Sequence, residues 1–497
     1  MTEITTTRRP SLALRAILAV LLTAGFYGLS LSIAGVMLFL VYAEVVYAHR
    51  INIRVTLVLV FVAGTILWSI LPRIERFHPP GPRLQREQHP KLFALIEAVA
   101  RQTGQAMPAE VYLLADVNAF VAQYGGFLGL GSRRIMGIGL PLLQILDQGQ
   151  IKAVLAHEFG HLYGGDTRLG PWIYQTRAAM IRTVGNLGNS ILQWPFRKYT
   201  ELFLRITQAI SRRQELVADE LSVQVAGTQA AIDCLNIINR VAPAFNAYWE
   251  QEIVPVLDYG CLPPLTNGFS HFMQVEEIAR AMDRSQEEAF KVQKAETYAS
   301  HPAPSERMAA IRALPYGPQP QDPRPALDLL DNNLAETEKR LLSVLYGAES
   351  INKLTPISWQ EAGRSVYVQI WQDSLQPYAP ALNGFTPESL PNNLAVTPAF
   401  KKLLKENVQG PPNQGPVPEE VYRQIAAMLL GRALGLCLVR AGWEIEALPG
   451  EPVRLSHQEH SLHNDLIPRQ LTKGELSAED WVRRCEEMGI RGLRLAL

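Results

Sequence analysis

The chain has 497 residues, with 47 Lys plus Arg balanced by 47 Asp plus Glu, and only four cysteines. That length exceeds what one hydrophobic core organises, so two or three domains are expected, and the balanced charge excludes an electrostatic case for nucleic acid. Cys234, Cys261, Cys437 and Cys485 form no CxxC pair, which argues against a disulfide framework or a thiolate metal site and suits a reducing compartment.

The first element is the compositional outlier. No charged residue occurs from Ala16 to Ala43, and a second uncharged stretch runs from Val55 to Leu71 between Arg54 and Arg73. A helix needs about 20 apolar residues to cross the hydrocarbon core, so residues 12–72 are expected to form two transmembrane helices. A cleaved signal peptide does not fit the first stretch: the apolar run is too long, no small-residue cleavage site stands out, and another apolar segment follows. A buried helical hairpin is the plainer alternative, and the first stretch has the length to tilt or to break near Gly25–Gly28. Arg8, Arg9 and Arg15 precede the pair, and Arg73, Arg76, Arg83 and Arg86 follow it. Both ends are therefore expected in the cytosol, although Arg50 and Arg54 in the connecting loop oppose this.

His78-Pro79-Pro80-Gly81-Pro82 reads as a stiff, helix-breaking linker. Pro90 to Gln102 reads as an amphipathic helix with Leu92, Leu95, Ile96 and Val99 on one side. Glu110–Leu114 and Arg134–Ile138 read as strands of a small sheet. Ile151 to Ala156 then runs apolar at helical spacing into His157-Glu158-Phe159-Gly160-His161, and Gly164-Gly165 ends that helix.

Residues 171–240 read as helical. Arg177 and Arg182 interrupt the stretch from Trp172 to Trp194, which argues against a third span there and favours a helical flap over a cleft. Five prolines between Pro315 and Pro325 mark the end of a domain, and residues 326–497 form a further region, split by a Gly/Pro-rich stretch at 410–416. The apolar helix around Ile425–Val439 is too short for a span and contains Arg432, so it reads as a core helix. His457, His460 and His463 are spaced to share a helical face, but their polar neighbours favour a solvated surface over a metal site.

The pentad carries the chemistry. Two imidazoles at i and i+4 stand on one helix face and can grip one Zn²⁺, and Glu158 beside the first can act as a base towards water. The plainer alternative is a buried helix whose histidines are only hydrogen-bonded. A catalytic zinc needs a third protein ligand and one open position. One arrangement places a third histidine six residues after the second; Gly164 fits that pattern, but Thr167 occupies the ligand position and excludes it. The other takes a glutamate from a later helix. Glu215 is the best candidate, because Asp219 lies one turn on and can orient a ligand histidine through its far ring nitrogen. Two surface acids on a solvated helix are the commoner explanation of such a pair, but Leu216, Val217 and Ala218 between them argue for packing.

With these residues in place, the chain resembles the HtpX and CAAX prenyl protease family of membrane gluzincins. Ser211-Arg212-Arg213-Gln214-Glu215-Leu216-Val217-Ala218-Asp219 is similar to the family's Ser-Arg-x-x-Glu-x-x-Ala-Asp segment. Asn118-Ala119-Phe120 matches its Asn-Ala-Phe ahead of the zinc helix, and Ser300-His301-Pro302 with Glu306-Arg307-Met308 is similar to its late His-Pro and Arg pattern. The resemblance implies a mainly α (α+β) chain: a transmembrane hairpin (12–72), a gluzincin-type zinc peptidase domain with a small sheet (85–315), and a helical C-terminal accessory region (326–497).

It further implies that His157, His161 and Glu215 bind Zn²⁺, that Asp219 supports a ligand, and that Glu158 is the base. His301 would donate to the oxyanion; the plainer reading makes it a residue ahead of a helix that Ser305 or Glu306 caps. Asn118, Ala119 and Phe120 would hold the substrate backbone. The implied function is a membrane-anchored zinc endopeptidase cleaving protein or peptide substrates at the cytosolic face of the inner membrane, in protein quality control. The alternatives are a protease dedicated to one substrate, docked by the C-terminal region, and a catalytically silent membrane scaffold. Prenyl-protease specificity is disfavoured, because it goes with a large multi-span chamber and only two spans are visible here. Two features depart from the family: the interval between pentad and third ligand is amphipathic where heat-shock members carry two more apolar segments, and the C-terminal region matches nothing in the family.

Overall fold

The computed structural model of the chain describes residues 12–47, 52–71, 77–124, 133–162, 170–188, 190–292, 302–316, 321–330, 333–394, 398–407 and 417–495. The two uncharged stretches form a hairpin of helices α1 (Leu12–Val46) and α2 (Ile53–Ile70). Glu44 ties its turn, its carboxylate accepting from Asn52 N–H at 2.6 Å and from the Thr56 hydroxyl at 2.9 Å. Both helices are long and apolar enough to cross a membrane, and they expose what a globular protein buries: Phe61 is 75% and Ile53 68% exposed.

The sheet that follows positions the zinc helix. It consists of β1 (Arg83–Leu84), β2 (Glu110–Leu114), β3 (Ala119–Tyr124) and β4 (Arg133–Gly139), in the spatial order β1-β2-β4-β3. Strands β2 and β4 are parallel and the other pairs antiparallel, so β3 is an edge strand. Helix α3 (Pro90–Gln102) buries Leu92, Phe93, Ile96 and Val99, the face its periodicity marks. A short helix, α4 (Leu140–Ile145), leads from β4 into α5 (Gln148–Gly160), which carries the pentad.

Both ends of α5 are fixed. At the N-terminus, Asp147 and Gln150 form a reciprocal capping box. Two further amides there, those of Gln148 and Gly149, donate to the carbonyls of Arg324 and Asp322 at 2.8 and 3.0 Å. The proline-rich segment read as a domain end therefore folds back to satisfy helix donors that otherwise have no partner. At the C-terminus α5 stops at Gly160 with His161 as its cap; Gly164 and Gly165 lie outside the described residues.

Helices α6 (Gly170–Asn186) and α7 (Gln193–Ala226) follow. The flap expected here is instead part of a helical cluster, because α6 and the first half of α7 pack on α1 and α2. Phe26, Ala63, Ile66, Met180, Phe196 and Phe203 fill the core between them. Helix α7 continues unbroken across α5. A Cβ on Gly160 would lie 2.6 Å from the Ala218 Cα, and the Ser222 hydroxyl donates to the Ala153 carbonyl at 2.8 Å.

The described contacts divide the chain into one unit of Met1–Arg240 with Gln286–Asn333, and a second of Val241–Ser285 with Leu334–Leu497. The second unit has its own core, including Trp371, Phe400, Leu430, Leu434 and Trp481. Within it, Glu338 caps the helix Leu265–Gln274 by accepting from the Leu265 and Thr266 amides, each at 2.9 Å. The helix Glu419–Arg440 is the third that is long and apolar enough to cross a membrane, but 67% of its apolar window is buried in this unit, against 17% and 22% for α1 and α2. His457 and His460 face each other across a β-hairpin (Arg454–His457 with His460–His463), so the three histidines do not share a helical face. Gln458, with φ +54°, makes the turn.

The α5–α7 crossing yields a prediction in which two effects oppose each other. Gly160→Ala gains at most about 1 kcal/mol of helix propensity. The forced separation from Ala218 costs about 1–3 kcal/mol, as overpacking does. Thermal unfolding followed by circular dichroism is expected to show a lower Tm for the variant, and an unchanged or raised Tm would remove the close crossing as a constraint.

Candidate metal centre

Two helices bring three side chains together. From α5, His157 and His161 present their rings edge to face with centroids 4.8 Å apart. From α7, Glu215 sits between them: its carboxylate oxygens lie 3.6 Å from His157 Nε2 and 3.8 Å from His161 Nε2. Among the described residues these three form the one group of metal-ligand type whose donor atoms converge, all within 4.8 Å of one another. Glu215 is buried and His161 is the most open of the three, so the site faces outward on the His161 side. Two imidazole nitrogens and one carboxylate on rigid helices are the donor set of a catalytic zinc, with a fourth position left for water or substrate. The residues present fit that ion.

The supporting shell comes from α7 and from the helix Pro304–Arg312. Asp219 Oδ1 lies 3.0 Å from His157 Nδ1, which fixes the proton on that nitrogen and leaves Nε2 free to bind a metal. Arg307 grips Asp219 with two bonds, Nη2 to Oδ1 at 2.6 Å and Nε to Oδ2 at 2.9 Å, and its Nη1 lies 3.6 Å from Glu215. Burial alone would raise the Asp219 pKa; the bonds from Arg307 and His157 outweigh it and hold the carboxyl at about 2.

Glu158 has the opposite environment. The surrounding protein desolvates its carboxyl and the nearby Glu215 charge repels its ionised form, so its pKa rises to about 7, against the opposing pull of His157, Arg307 and the Val121 amide. That hydrogen bond links Glu158 to β3. The Asn118 carbonyl accepts from Gly139 N–H on the β4 side at 2.8 Å, so antiparallel alternation turns Ala119, Val121 and Gln123 to the free edge. Asn118 itself stands just before the strand, and its side-chain oxygen accepts from the Ala119 amide at 2.9 Å. Phe120 packs its ring over Gly137 of β4.

His301 lies outside the described residues. The helix after it starts at Pro304 with Ala303 as N-cap and no side-chain cap, so neither Ser305 nor Glu306 caps it. Arg307 is the residue that sequence reasoning quoted in a motif without giving it a task. The available signal was chemical: Glu215 and Asp219, two acids placed on a packed helix, need a cation, and Arg307 stands in the same late motif. In the other unit, His457 stacks on Trp443 and His463 Nδ1 lies 3.2 Å from the Pro452 carbonyl.

Residues 86–314 match the model of peptidase family M48. Among curated proteins the chain is similar to the protease HtpX of Pseudomonas putida, at 29% identity over 174 residues, 31% of this chain and 57% of the relative. It is 28% identical to that of Pseudomonas fluorescens over the same length, with the same shares. The protease HtpX of Stutzerimonas stutzeri is 29% identical over 174 residues, 31% of this chain and 58% of the relative. The chain thus spans less than two thirds of the length of these relatives. No solved structure matches it.

Two predictions follow from the shell. Arg307→Ala is expected to weaken zinc binding about 10–100-fold, as loss of an outer partner does, and Arg307→Lys to recover little of it, because a point charge cannot make the two-bond grip. Competition against a chelating indicator measures both, and parental affinity in Arg307→Ala would remove the arginine from the metal-holding shell. The second concerns acid. A carboxyl depressed from about 3.9 to about 2 contributes roughly 2 kcal/mol above the higher value, lost as pH falls through the lower one. Metal-free protein is expected to lose stability between about pH 4 and 2, and Asp219→Asn to flatten that part of the profile.

Proposed function

We infer that this chain, whose residues 86–314 match the model of peptidase family M48, is a zinc-dependent, membrane-anchored endopeptidase acting on protein substrates. The observation that carries the reading is the convergence of His157, His161 and Glu215, with Glu158 one residue from the first ligand. Bound by those three, Zn²⁺ supplies Lewis acidity towards the scissile carbonyl and the attacking water.

The chain's own residues do the rest. Glu158 takes the proton from the attacking water on its carboxylate and returns it to the leaving amine nitrogen. Asp219 holds the His157 tautomer, and Arg307 holds Asp219. His301 is the donor at the developing oxyanion, a contact worth several kcal/mol where it has been removed from other enzymes. The substrate backbone adds to the free edge of β3 in the stretch that Asn118, Ala119 and Phe120 open, a pairing that reads extended shape more than sequence. The Ala119 amide is already held by Asn118, which leaves the outward carbonyls of Ala119 and Val121 and the outward groups of Gln123 to set the register.

The exposed apolar faces of α1 and α2 support a bilayer anchor. The basic residues flanking the pair and four buried, unbridged cysteines favour a catalytic unit on the cytosolic side of the inner membrane. Turnover of damaged proteins is the role that fits a shape-reading site there, and residues 326–497 are the surface available to bring a partner. The intact site speaks against a silent scaffold.

The test uses the purified full chain with an unfolded protein substrate. Zinc near one equivalent and chelator-sensitive cleavage are expected, with Glu158→Gln slower by roughly 10²–10⁴-fold while retaining zinc. Equal cleavage by the variant would show that Glu158 is not the base.

A further inference from the structure

Outside α1, α2 and their ends, the large hydrophobic side chains exposed among the described residues number eight, and four of them lie on the α6–α7 hairpin. Ile191 is 89% exposed, Trp194 58%, Ile181 57% and Leu202 47%. The hairpin is not loosely attached. Tyr199 donates its hydroxyl to the Leu22 carbonyl at 2.8 Å and Phe196 stacks edge-on against Phe26, so α7 is fixed to α1. At the end of α6, Asn186 donates to the Ser69 hydroxyl at 2.9 Å, and Arg182 donates to the carbonyls of Ser69 and Leu71 at 3.3 and 3.5 Å. Those carbonyls belong to the last turn of α2, where a cation is favoured. The α6–α7 turn is therefore level with the C-terminal end of α2.

That level has a physical meaning if α2 is a membrane helix. Its 18 residues measure about 27 Å, close to the roughly 30 Å of a hydrocarbon core, so its end marks a bilayer surface. Tryptophan concentrates at that depth. One turn further along α7 stand Arg197 and Lys198, half-exposed beside Glu201, with Arg205 beyond them, a net basic group where anionic headgroups lie. From the turn, Ile191, Trp194 and then Arg197 with Lys198 occur in the order in which acyl chain, interface and phosphate are met, with Leu202 beyond them between the cations and Arg205.

We propose that the α6–α7 turn is seated in the lipid interface beside α1 and α2, and that α7 is a rigid spacer rising from it to the metal centre. The proposal rests on the membrane-anchored reading above. Helix α7 is continuous from Gln193 to Ala226, so Glu215 stands about 30 Å along it from Trp194. A polypeptide leaving the bilayer then needs roughly nine extended residues to reach the site, which selects unfolded or terminal segments over buried membrane stretches.

The experiment places a thiol-reactive fluorophore at Ile191→Cys, Arg205→Cys or Gln224→Cys along α7, and at Phe61→Cys on α2, in full-length protein reconstituted into phosphatidylglycerol-containing vesicles. The four native cysteines are buried, so labelled parent protein is the blank. Lipids carrying a nitroxide high on the acyl chain are expected to quench Ile191→Cys by about half or more, Arg205→Cys less, and Gln224→Cys by roughly a tenth or less, with Phe61→Cys quenched by deep nitroxides. Phe61→Cys quenched but Ile191→Cys reached only by aqueous iodide would overturn the proposal and leave the anchor standing. Gln224→Cys quenched as strongly as Ile191→Cys would lay α7 along the surface and overturn the spacer. No lipid quenching at Phe61→Cys would remove the membrane reading and the proposal with it.

Discussion

The metal centre depends on how closely α5 and α7 cross. Two ligands come from one helix and the third from another, with α6 between them in sequence, and the carboxylate must arrive within ligand distance of both imidazoles. Gly160 and Ala218 permit this: at the crossing, the first has no side chain and the second a single methyl. The Ser222 bond to the Ala153 carbonyl sets the rotation of α7, which turns Glu215 and Asp219, one helical turn apart, towards the histidines. The capping box and the returning segment around Asp322–Arg324 then stop α5 from sliding. Each ligand is thereby fixed by backbone packing rather than by side-chain freedom, the condition for a preorganised site.

What the sequence made legible was local. The pentad, the helix over 90–102 and the strands around 110–114 and 134–138 are set by periodicities within a few residues, and the structure reproduces them. Glu215 was legible because Asp219 lies one turn away and the residues between them are apolar. Long-range relations were not legible. Arg307 meets Asp219 across 88 residues of chain, and although the paired acids call for a cation, no local periodicity says which one supplies it. The histidines at 457, 460 and 463 have a spacing that fits a helical face and a hairpin equally, and only the left-handed backbone at Gln458 decides between them.

The interval between the pentad and Glu215 shows what charge alone leaves open. Arg177 and Arg182 argued against a third span in that stretch, and neither α6 nor α7 is among the described helices long and apolar enough to cross a membrane. In the structure the Arg182 guanidinium is directed at the carbonyls ending α2, so its charge serves to attach α6 to the apolar pair. A cation in an amphipathic helix can mark the rim of an apolar assembly as readily as its solvated outside, and sequence does not distinguish the two. Residues 241–285 carry the same lesson. Their amphipathic helices have no compositional break from those before them, yet they pack with the C-terminal region, where Tyr248 meets Trp359, Glu338 accepts from the Leu265 and Thr266 amides and Tyr367 donates to Glu252.

The electrostatics of the centre give its three carboxyl groups different environments. Glu158, Glu215 and Asp219 would bring three negative charges into a partly dehydrated space that holds one guanidinium, and a divalent cation at the converging donors balances the remaining two. Arg307 divides its attention unequally. It bonds Asp219 twice and only approaches Glu215, so the Asp219 carboxyl is held at about 2 while the Glu215 carboxylate is left facing the histidines. Glu158 has no two-bond cation, and desolvation with the neighbouring Glu215 charge raises its pKa to about 7 in the metal-free centre. A carboxyl that is always charged serves to orient a ligand; one that titrates near neutrality can accept and return a proton. The placement of a single arginine on the Asp219 side of the site therefore sets the two environments apart, because Arg307 bonds Asp219 twice and acts on Glu158 only at a distance.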